Sequence, residues 1–337
     1  MPTIKDVAGL SGFSVSAVSK YLKAPDSVRE ETGRRISEAI ALLGYSPNPT
    51  ARSLRTGKTG IVAVLIPEIT NPVFAELFSN VYEGCLHVGM TPVLHAVTDA
   101  AQLKRILPAV SPYHADGLIL CFLNGQDICE PIIRYAAGAP LIQIGFEIDT
   151  RISGSIMVDV AHGMKLLARH LLEGGCQDIA YLGEPGADIA SGKKISGFLE
   201  GLSGKHNVRV MQGYRGLEGG FEGAGCLLEK GMPDAIVCET DILAIGCMKR
   251  LAQKRIAIPD RISVTGYDDI QIAGMYEPSL TTVRLPLKQI SRLAVGMLDW
   301  ALGGGRQDSV TVTPELVVRS STTGKSERGG KHVCDRP

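Results

Sequence analysis

Apolar and polar positions change rhythm near residue 60. Before it, apolar residues recur at helical spacing in short blocks; after it, apolar runs alternate with amphipathic stretches. The opening string TIKDVAGLSGFSVSAVSKYL holds two helix starts. Thr3 precedes Ile4 and has Asp6 three places on, the arrangement of a capping box, and the carboxylate suits the positive end of a helix. Gly12 breaks the pattern, and Ser14 is placed to cap a second helix running to about Leu22. The gap between them is the length of a helix-turn-helix turn. Val18 and Leu22, four apart, share a face that suits a small core with Ile4, Ala8 and Phe13. A third short helix and a separate basic segment, PNPTARSL, complete this part of the chain.

From Gly60 onward the runs IVAVLI, TPVLHAV, ADGLILC, APLIQIG and SIMVD read as strands with helical stretches between several of them, and DIAYLG, VRVMQG, AIVC and ISVTGYDD form a second series. Strand–helix alternation predicts parallel, doubly wound sheets. About 265 residues in two such series exceed one ordinary domain and can bury two cores. GGFEGAG at 219–225 lacks both the G-x-G-x-x-G order and the Lys-Ser/Thr of a phosphate loop, and reads as a turn leading into the helix that ends LLEKG.

The chemistry of the head lies off its apolar stripe. Val15, Ser16, Ser19 and Lys20 fall there, with Val15 and Ser16 in the first turn, the part of a recognition helix that reaches base edges in the major groove. Lysine can donate to guanine, valine can touch a thymine methyl and serine can bond several bases, each good contact being worth about 1–3 kcal/mol of discrimination. Thr3, Ser14, Val15, Ser16, Ser19 and Lys20 are therefore the candidate DNA contacts of the head. Residues 1–58 carry nine Lys/Arg against five Asp/Glu, a surplus of four, although the whole chain balances at 35 against 35; the remainder is acidic by the same amount. A basic head on an acidic body is the asymmetry expected when one end meets phosphate. A three-helix interaction module with no nucleic-acid role would share the helix pattern.

At this point TIKDVAGLSGFSVSAVSKYLKAPDSV, AIALLGYSPNPTARSLRTGKT, IVAVLIPEITNPVFAEL, LLARHLLEGGCQDIAYLG, DAIVCETDILAIG, RISVTGYDD and PSLTTVRLP together resemble the lactose/galactose-repressor family of bacterial transcription regulators, over the chain to about residue 323. The resemblance implies an all-α helix-turn-helix head at 1–46 and a hinge helix and linker at 47–59. It further implies an α/β, two-lobed, periplasmic-binding-protein-like domain built on two doubly wound parallel sheets. The first lobe would comprise 60–157 plus 285–308 and the second 158–284 plus 309–323, with crossings near Val158, Arg284 and Val310 and a polar, disordered tail at 324–337. In relatives the hinge folds when two subunits meet on an operator. By motif position Asn48 and Ala51 would face the minor groove and Leu54 would wedge between central base pairs, bending the duplex. Pro47 and Pro49 suit a stiff segment that does not fold alone, and an ordinary linker would explain them equally well.

The same resemblance implies a small-molecule effector between the lobes, where strands present their carboxyl ends. Asp268 matches the family aspartate that accepts hydrogen bonds from effector hydroxyls, Thr240 and Asp241 end the preceding strand, and Lys194 stands where relatives have a gripping arginine. Phe74 and Phe221 are candidate walls; each of these six has a structural reading as well. Several positions depart from the family. Lysine cannot make the bidentate grip of a guanidinium, Thr240 replaces an asparagine, and Gly145 stands where many members have an aspartate. A sugar acid held by Lys194 is the expected effector ahead of a neutral sugar or nucleobase. In the head, Arg29 replaces a serine cap and Ala17 a hydroxyl residue that would contact phosphate, a loss that weakens binding without changing what is read.

Nothing else in the sequence points to catalysis or cofactors. Eight cysteines include no C-x-x-C pair and read as reduced buried thiols, and the histidines lack ligand spacing, so no metal, cofactor or enzymatic activity is expected. No apolar run approaches the ~18 residues of a membrane span and no signal segment follows Met1, which places the protein in the cytoplasm, on the nucleoid. The expected partners are operator DNA, an effector and a second copy of the chain. No leucine heptad follows Thr323, against a coiled-coil tetramer. The competing reading is a transport-type binding protein or an enzyme built on the lobed domain.

Overall fold

The computed structural model describes residues 2–46, 53, 57–111, 114–122, 130–132, 134, 139–145, 153–184, 189–202, 207–306 and 308–322. The chain divides into two compact units, Met1–Thr59 and Gly60–Pro337. Asn48, Ala51 and Leu54, and the tail at 324–337, lie outside the described residues.

In the first unit, helices α1 (Ile4–Ser11), α2 (Val15–Lys23) and α3 (Glu30–Leu43) are separated by short breaks. Both the backbone N–H and the hydroxyl of Thr3 donate to Asp6 Oδ2, at 2.7 and 2.8 Å. The hydroxyl therefore acts as a donor to the carboxylate at this start. Ser14 Oγ accepts from the Ala17 N–H at 3.2 Å and fixes the start of α2. Val7, Ala8, Val18, Ile36 and Ala39 are buried, with Ile4, Phe13, Tyr21, Leu22, Ile40, Leu43 and Tyr45 packed around them. Burial of each large aliphatic side chain contributes about 1.5–3 kcal/mol. Arg29 occupies the start of α3 and makes no side-chain cap.

The second unit is built on two parallel sheets. Strands β1 (Ile61–Ile66), β2 (Thr91–Ala96), β3 (Gly117–Cys121), β4 (Leu141–Gly145), β5 (Gly154–Val158) and β11 (Val310–Val312) form one, ordered β11-β5-β4-β3-β1-β2. Strands β6 (Asp178–Leu182), β7 (Asn207–Met211), β8 (Ala235–Cys238) and β9 (Ser263–Thr265) form the other, ordered β7-β6-β8-β9. All neighbouring pairs in both are parallel, with Val62 opposite Gly117 in one and Ile179 opposite Ala235 in the other. Inner strands such as β1, β3 and β8 are apolar throughout, as strands covered on both faces require. A small antiparallel pair, β10 (Thr282–Arg284) with β12 (Glu315–Val317), stands apart.

The helices that cover these sheets include α4 (Pro72–His87), α5 (Ala100–Ile106), α6 (Val160–Glu173), α7 (Ile189–Leu202), α8 (Gly216–Glu229), α9 (Asp241–Gln253) and α10 (Leu287–Leu302). Helix α10 returns to the first lobe, where the Ser291 hydroxyl donates to Leu77 O at 3.4 Å. The expected boundary put 309–323 in the second lobe, yet β11 pairs with β5, so Val310–Val312 stand in the first sheet and the last crossing follows Val312. Backbone pairing decides this, and three residues carry too little pattern to show it.

The glycine-rich 219–225 is not a turn. It lies inside α8, because Gly220 and Gly246 let α8 and α9 touch backbone to backbone: a Cβ on Gly220 would collide with Leu243 O, and one on Gly246 with Leu217 O. Glycine inside a helix costs about 0.5–1 kcal/mol, which the close packing offsets. Gly220→Ala or Gly246→Ala is expected to destabilise the protein by about 1–3 kcal/mol through overpacking. Gly192→Ala in α7, where a Cβ meets nothing within 4 Å, should be neutral or stabilising. Denaturant melts of the three variants check this, and equal stability of all three would refute the close-contact account.

Candidate functional site

On the head, α2 buries Val18 and leaves Val15, Ser16 and Lys20 exposed, with Ser19 half-buried. The Ser14 and Ser16 hydroxyls are 2.8 Å apart, so the first-turn hydroxyls form a linked pair on the exposed side. Thr3 is also exposed, at the start of α1. The structure thus leaves Val15, Ser16 and Lys20 exposed along α2, with Ser14 at its start, so that donors, acceptors and one apolar group are presented outward.

In the lobed unit, parallel topology gathers strand ends on one side of each sheet. Glu68 follows β1, Phe122 follows β3, Glu184 follows β6, Glu239–Asp241 follow β8 and Asp268 follows β9. Among the described residues two side-chain contacts join the lobes there. Asn71 Nδ2 donates to Asp268 Oδ2 at 3.2 Å, while Asn71 Oδ1 accepts from the Val73 N–H and caps α4. Arg215, between β7 and α8, lies 3.8 Å from Glu68 and 3.9 Å from Glu184.

Asp268 is held in an uncommon backbone conformation, φ 120°, next to Asp269 at φ 57°. Asp268 N–H donates to Val283 O, and the Asp269 carboxylate is fixed by Arg284 and Arg319, each at 2.6 Å. Asp241 supports the loop rather than opening to a ligand: its oxygens accept from the Ile270 N–H and the Thr282 hydroxyl. Thr240 Oγ1 accepts from the Leu243 N–H and caps α9.

Lys194 reaches the same region, but its Nζ donates to Glu239 O at 2.9 Å and sits 4.3 Å above the Tyr267 ring. Glu239 itself accepts from the Ser191 hydroxyl and the Glu184 N–H. Phe74 packs 6.1 Å from Phe122, at the strand-end side of the first lobe. Phe221 does not join this group; its ring lies under Arg250, nine residues along α9 from Asp241 or about 13 Å at the helical rise. Glu68, Asn71, Glu184, Arg215, Glu239 and Tyr267 were not singled out from sequence. Only Asn71, before Pro72, carried a local signal, that of a helix cap.

Burial dominates the titration of these acids. It pushes Glu184 from the ordinary 4.5 to about 7 and Asp268 from 3.8 to about 6; Lys194 opposes both shifts, and Glu239 and Glu68 reinforce them. Burial, then the neighbouring Asp268, raises Asp241 to about 7. Among the described residues no group of His, Cys, Asp or Glu could hold a metal ion, and no helix is long and apolar enough to cross a membrane.

Comparison with known proteins places this arrangement. Residues 3–48 match the family described as bacterial regulatory proteins, lacI family, and residues 168–322 match the periplasmic binding protein-like domain. The HTH-type transcriptional repressor PurR of Mannheimia succiniciproducens is 28% identical over 331 residues, covering 95% of this chain and 98% of that protein. The chain belongs to the LacI family of bacterial regulatory proteins. As a LacI-family member it is a transcriptional regulator and not an enzyme. Its fold is that of the Lac repressor dimer bound to operator and the anti-inducer ONPF (TM-score 0.83, 22% identity, 95% of this chain and 99% of that one). It is also that of the transcriptional regulator CelR in complex with cellobiose (TM-score 0.70, 23% identity, 95% and 100%).

The raised acids give this LacI-family protein a definite pH dependence. Folded-state values above the ordinary ones mean that the folded state holds more protons, so the stability contributed by Glu184 and Asp268 is full below about 4 and is lost as pH rises through about 6–7. The melting temperature of the ligand-free chain should fall between pH 5 and pH 8, by about 2–4 °C per kcal/mol lost. Glu184→Gln should flatten the upper part of that slope. Scanning calorimetry across this range checks it, and a parallel slope in the variant would refute the assignment.

Proposed function

We propose that this chain is a repressor that binds a pseudo-palindromic operator as a homodimer in the cytoplasm and is controlled by a small metabolite held between its two lobes. The observation that carries the reading is the surface of α2, where Val15, Ser16 and Lys20 are exposed while Val18 packs inward. That is the presentation a major-groove reader needs. The PurR relative is named a transcriptional repressor, and the Lac repressor was solved on operator DNA, which supports the same role here.

Thr3, Ser14, Val15, Ser16, Ser19 and Lys20 form the operator-facing set of the head. Asn48, Ala51 and Leu54 form that of the hinge, by their motif positions. Around the effector, Asp268 and Lys194 are the polar groups and Phe74 a wall; Thr240 and Asp241 shape the site from behind. CelR was solved with cellobiose, which supports a sugar-like ligand at the junction of the lobes. The direction of control follows from differential affinity: an effector favouring the operator-competent state is a corepressor, and one favouring the other state is an inducer.

Selection of binding sites from a random duplex library at near-physiological salt tests the operator reading directly. Enrichment of a pseudo-palindrome is expected, and no enrichment with or without candidate effectors would overturn it. On the selected site, Lys20→Ala should relax preference at one or two bases per half-site, losing about 1–3 kcal/mol of discrimination. Equal loss on specific and random DNA would exclude base reading. Asp268→Ala should keep operator affinity and abolish its change by effector; a normal response would move the site elsewhere.

A further inference from the structure

The junction of the lobes is not balanced in charge. Asp269 is neutralised by Arg284 and Arg319, and Asp241 is occupied by Thr282 and Ile270. Among the described residues four carboxylates remain, Glu68, Glu184, Glu239 and Asp268, facing two cations, Lys194 and Arg215. With all six ionised the junction carries a surplus of two negative charges.

Each cation already faces an acceptor of the junction. Lys194 Nζ is committed to Glu239 O and the Tyr267 face. Arg215 approaches Glu68 and Glu184 only at 3.8 and 3.9 Å, beyond hydrogen-bond length, with 55% of its side chain exposed. It is a loose, resident cation between acids from opposite lobes. Asp268 is 7% exposed; its Oδ2 accepts from Asn71, and no described residue donates to its Oδ1. That oxygen is left available to a donor from a ligand. Among the described residues the acids do not converge on a metal site.

We propose that the effector bears a cationic, donor-rich group, an ammonium or amidinium, that bonds Asp268 Oδ1 and lies between Glu68 and Glu184 in competition with Arg215. This rests on the reading of the lobe junction as the effector site. It inverts the expectation of a sugar acid held by Lys194, because an acid would enter a surplus of negative charge and compete with Glu68 and Glu184 for Arg215 and with Glu239 O for Lys194. An amino sugar or an amidine fits; a carboxylated sugar does not.

The test uses the full chain and matched probes that differ only in charge: glucosamine, glucose and glucuronate on one scaffold, and putrescine, butanediol and succinate on another. Each is titrated at pH 7.5 and low salt by thermal shift and calorimetry. Stabilisation by a cationic member, at least 10-fold stronger binding than its anionic partner, and a 10-fold or greater loss in Glu184→Gln and in Glu68→Gln are expected. Cooperative thermal unfolding of both variants serves as the folding control. The proposal is overturned by equal or stronger binding of a neutral or anionic member, by no binding of either cation, or by cation binding unchanged in both variants. The underlying site is judged separately: any compound that alters operator affinity and loses that effect in Asp268→Ala keeps the site at the junction, whatever its charge.

Discussion

Asp241 places a carboxylate in the first turn of α9, fully buried, and the geometry of the lobe junction is tied to it. Its oxygens receive the Ile270 N–H and the Thr282 hydroxyl, and its own N–H donates to Tyr267 O at 2.8 Å. Three segments are thereby fixed to one group: the loop after β9, the start of β10 and the head of α9. Gly266 has no side chain because Asp241 Oδ1 fills the place where a Cβ would stand. This anchor, together with the Arg284 and Arg319 pairs to Asp269, holds Asp268 and Asp269 in left-handed backbone conformations, which cost of order 1–3 kcal/mol each. The direction in which Asp268 faces the opposite lobe is set by a residue that has no oxygen left for a ligand.

Topology then concentrates charge. Parallel strands end together, so residues that follow β1, β6, β8 and β9 converge from distant parts of the chain. Each added acid makes the others harder to ionise, and burial does so more strongly. Asn71 and Arg215 cross from one lobe to the other at this point. Parting the lobes would break the Asn71–Asp268 bond, separate Arg215 from Glu68 and admit water to the acids. Charge at the junction and separation of the lobes are therefore two faces of one equilibrium, which is the kind of coupling a ligand-controlled regulator requires.

The sheets were readable because most of their inner strands are apolar runs, IVAVLI being the plainest, and the head because Thr3, Gly12 and Ser14 punctuate its helices. The glycines at 219–225 misled because local turn propensity competes with a tertiary contact: only the presence of α9 against Gly220 explains why a helix continues there. At the junction, Asp268 was legible through its motif and Lys194 by position, whereas the direction of the Lys194 amine was not. That depends on Glu239 and Tyr267, separated from it by 45 and more residues. Glu68, Glu184 and Arg215 carry no local pattern, since an acid or arginine after a strand looks like any solvated loop residue until the other lobe is in place.

Asn71 shows how narrowly one position can be specified by two demands. As the cap of α4, its role could be filled by serine, threonine or aspartate, all of which present an oxygen to the first turn. Facing Asp268, it must also donate, and across the gap between lobes only the amide has a second arm for that. Aspartate would keep the helix start and set two carboxylates against each other, while serine would keep it and fall short. Of the four ordinary capping residues, asparagine alone serves both the helix and the hinge between lobes. The grammar of a single helix terminus is thus spelled by its neighbour in space.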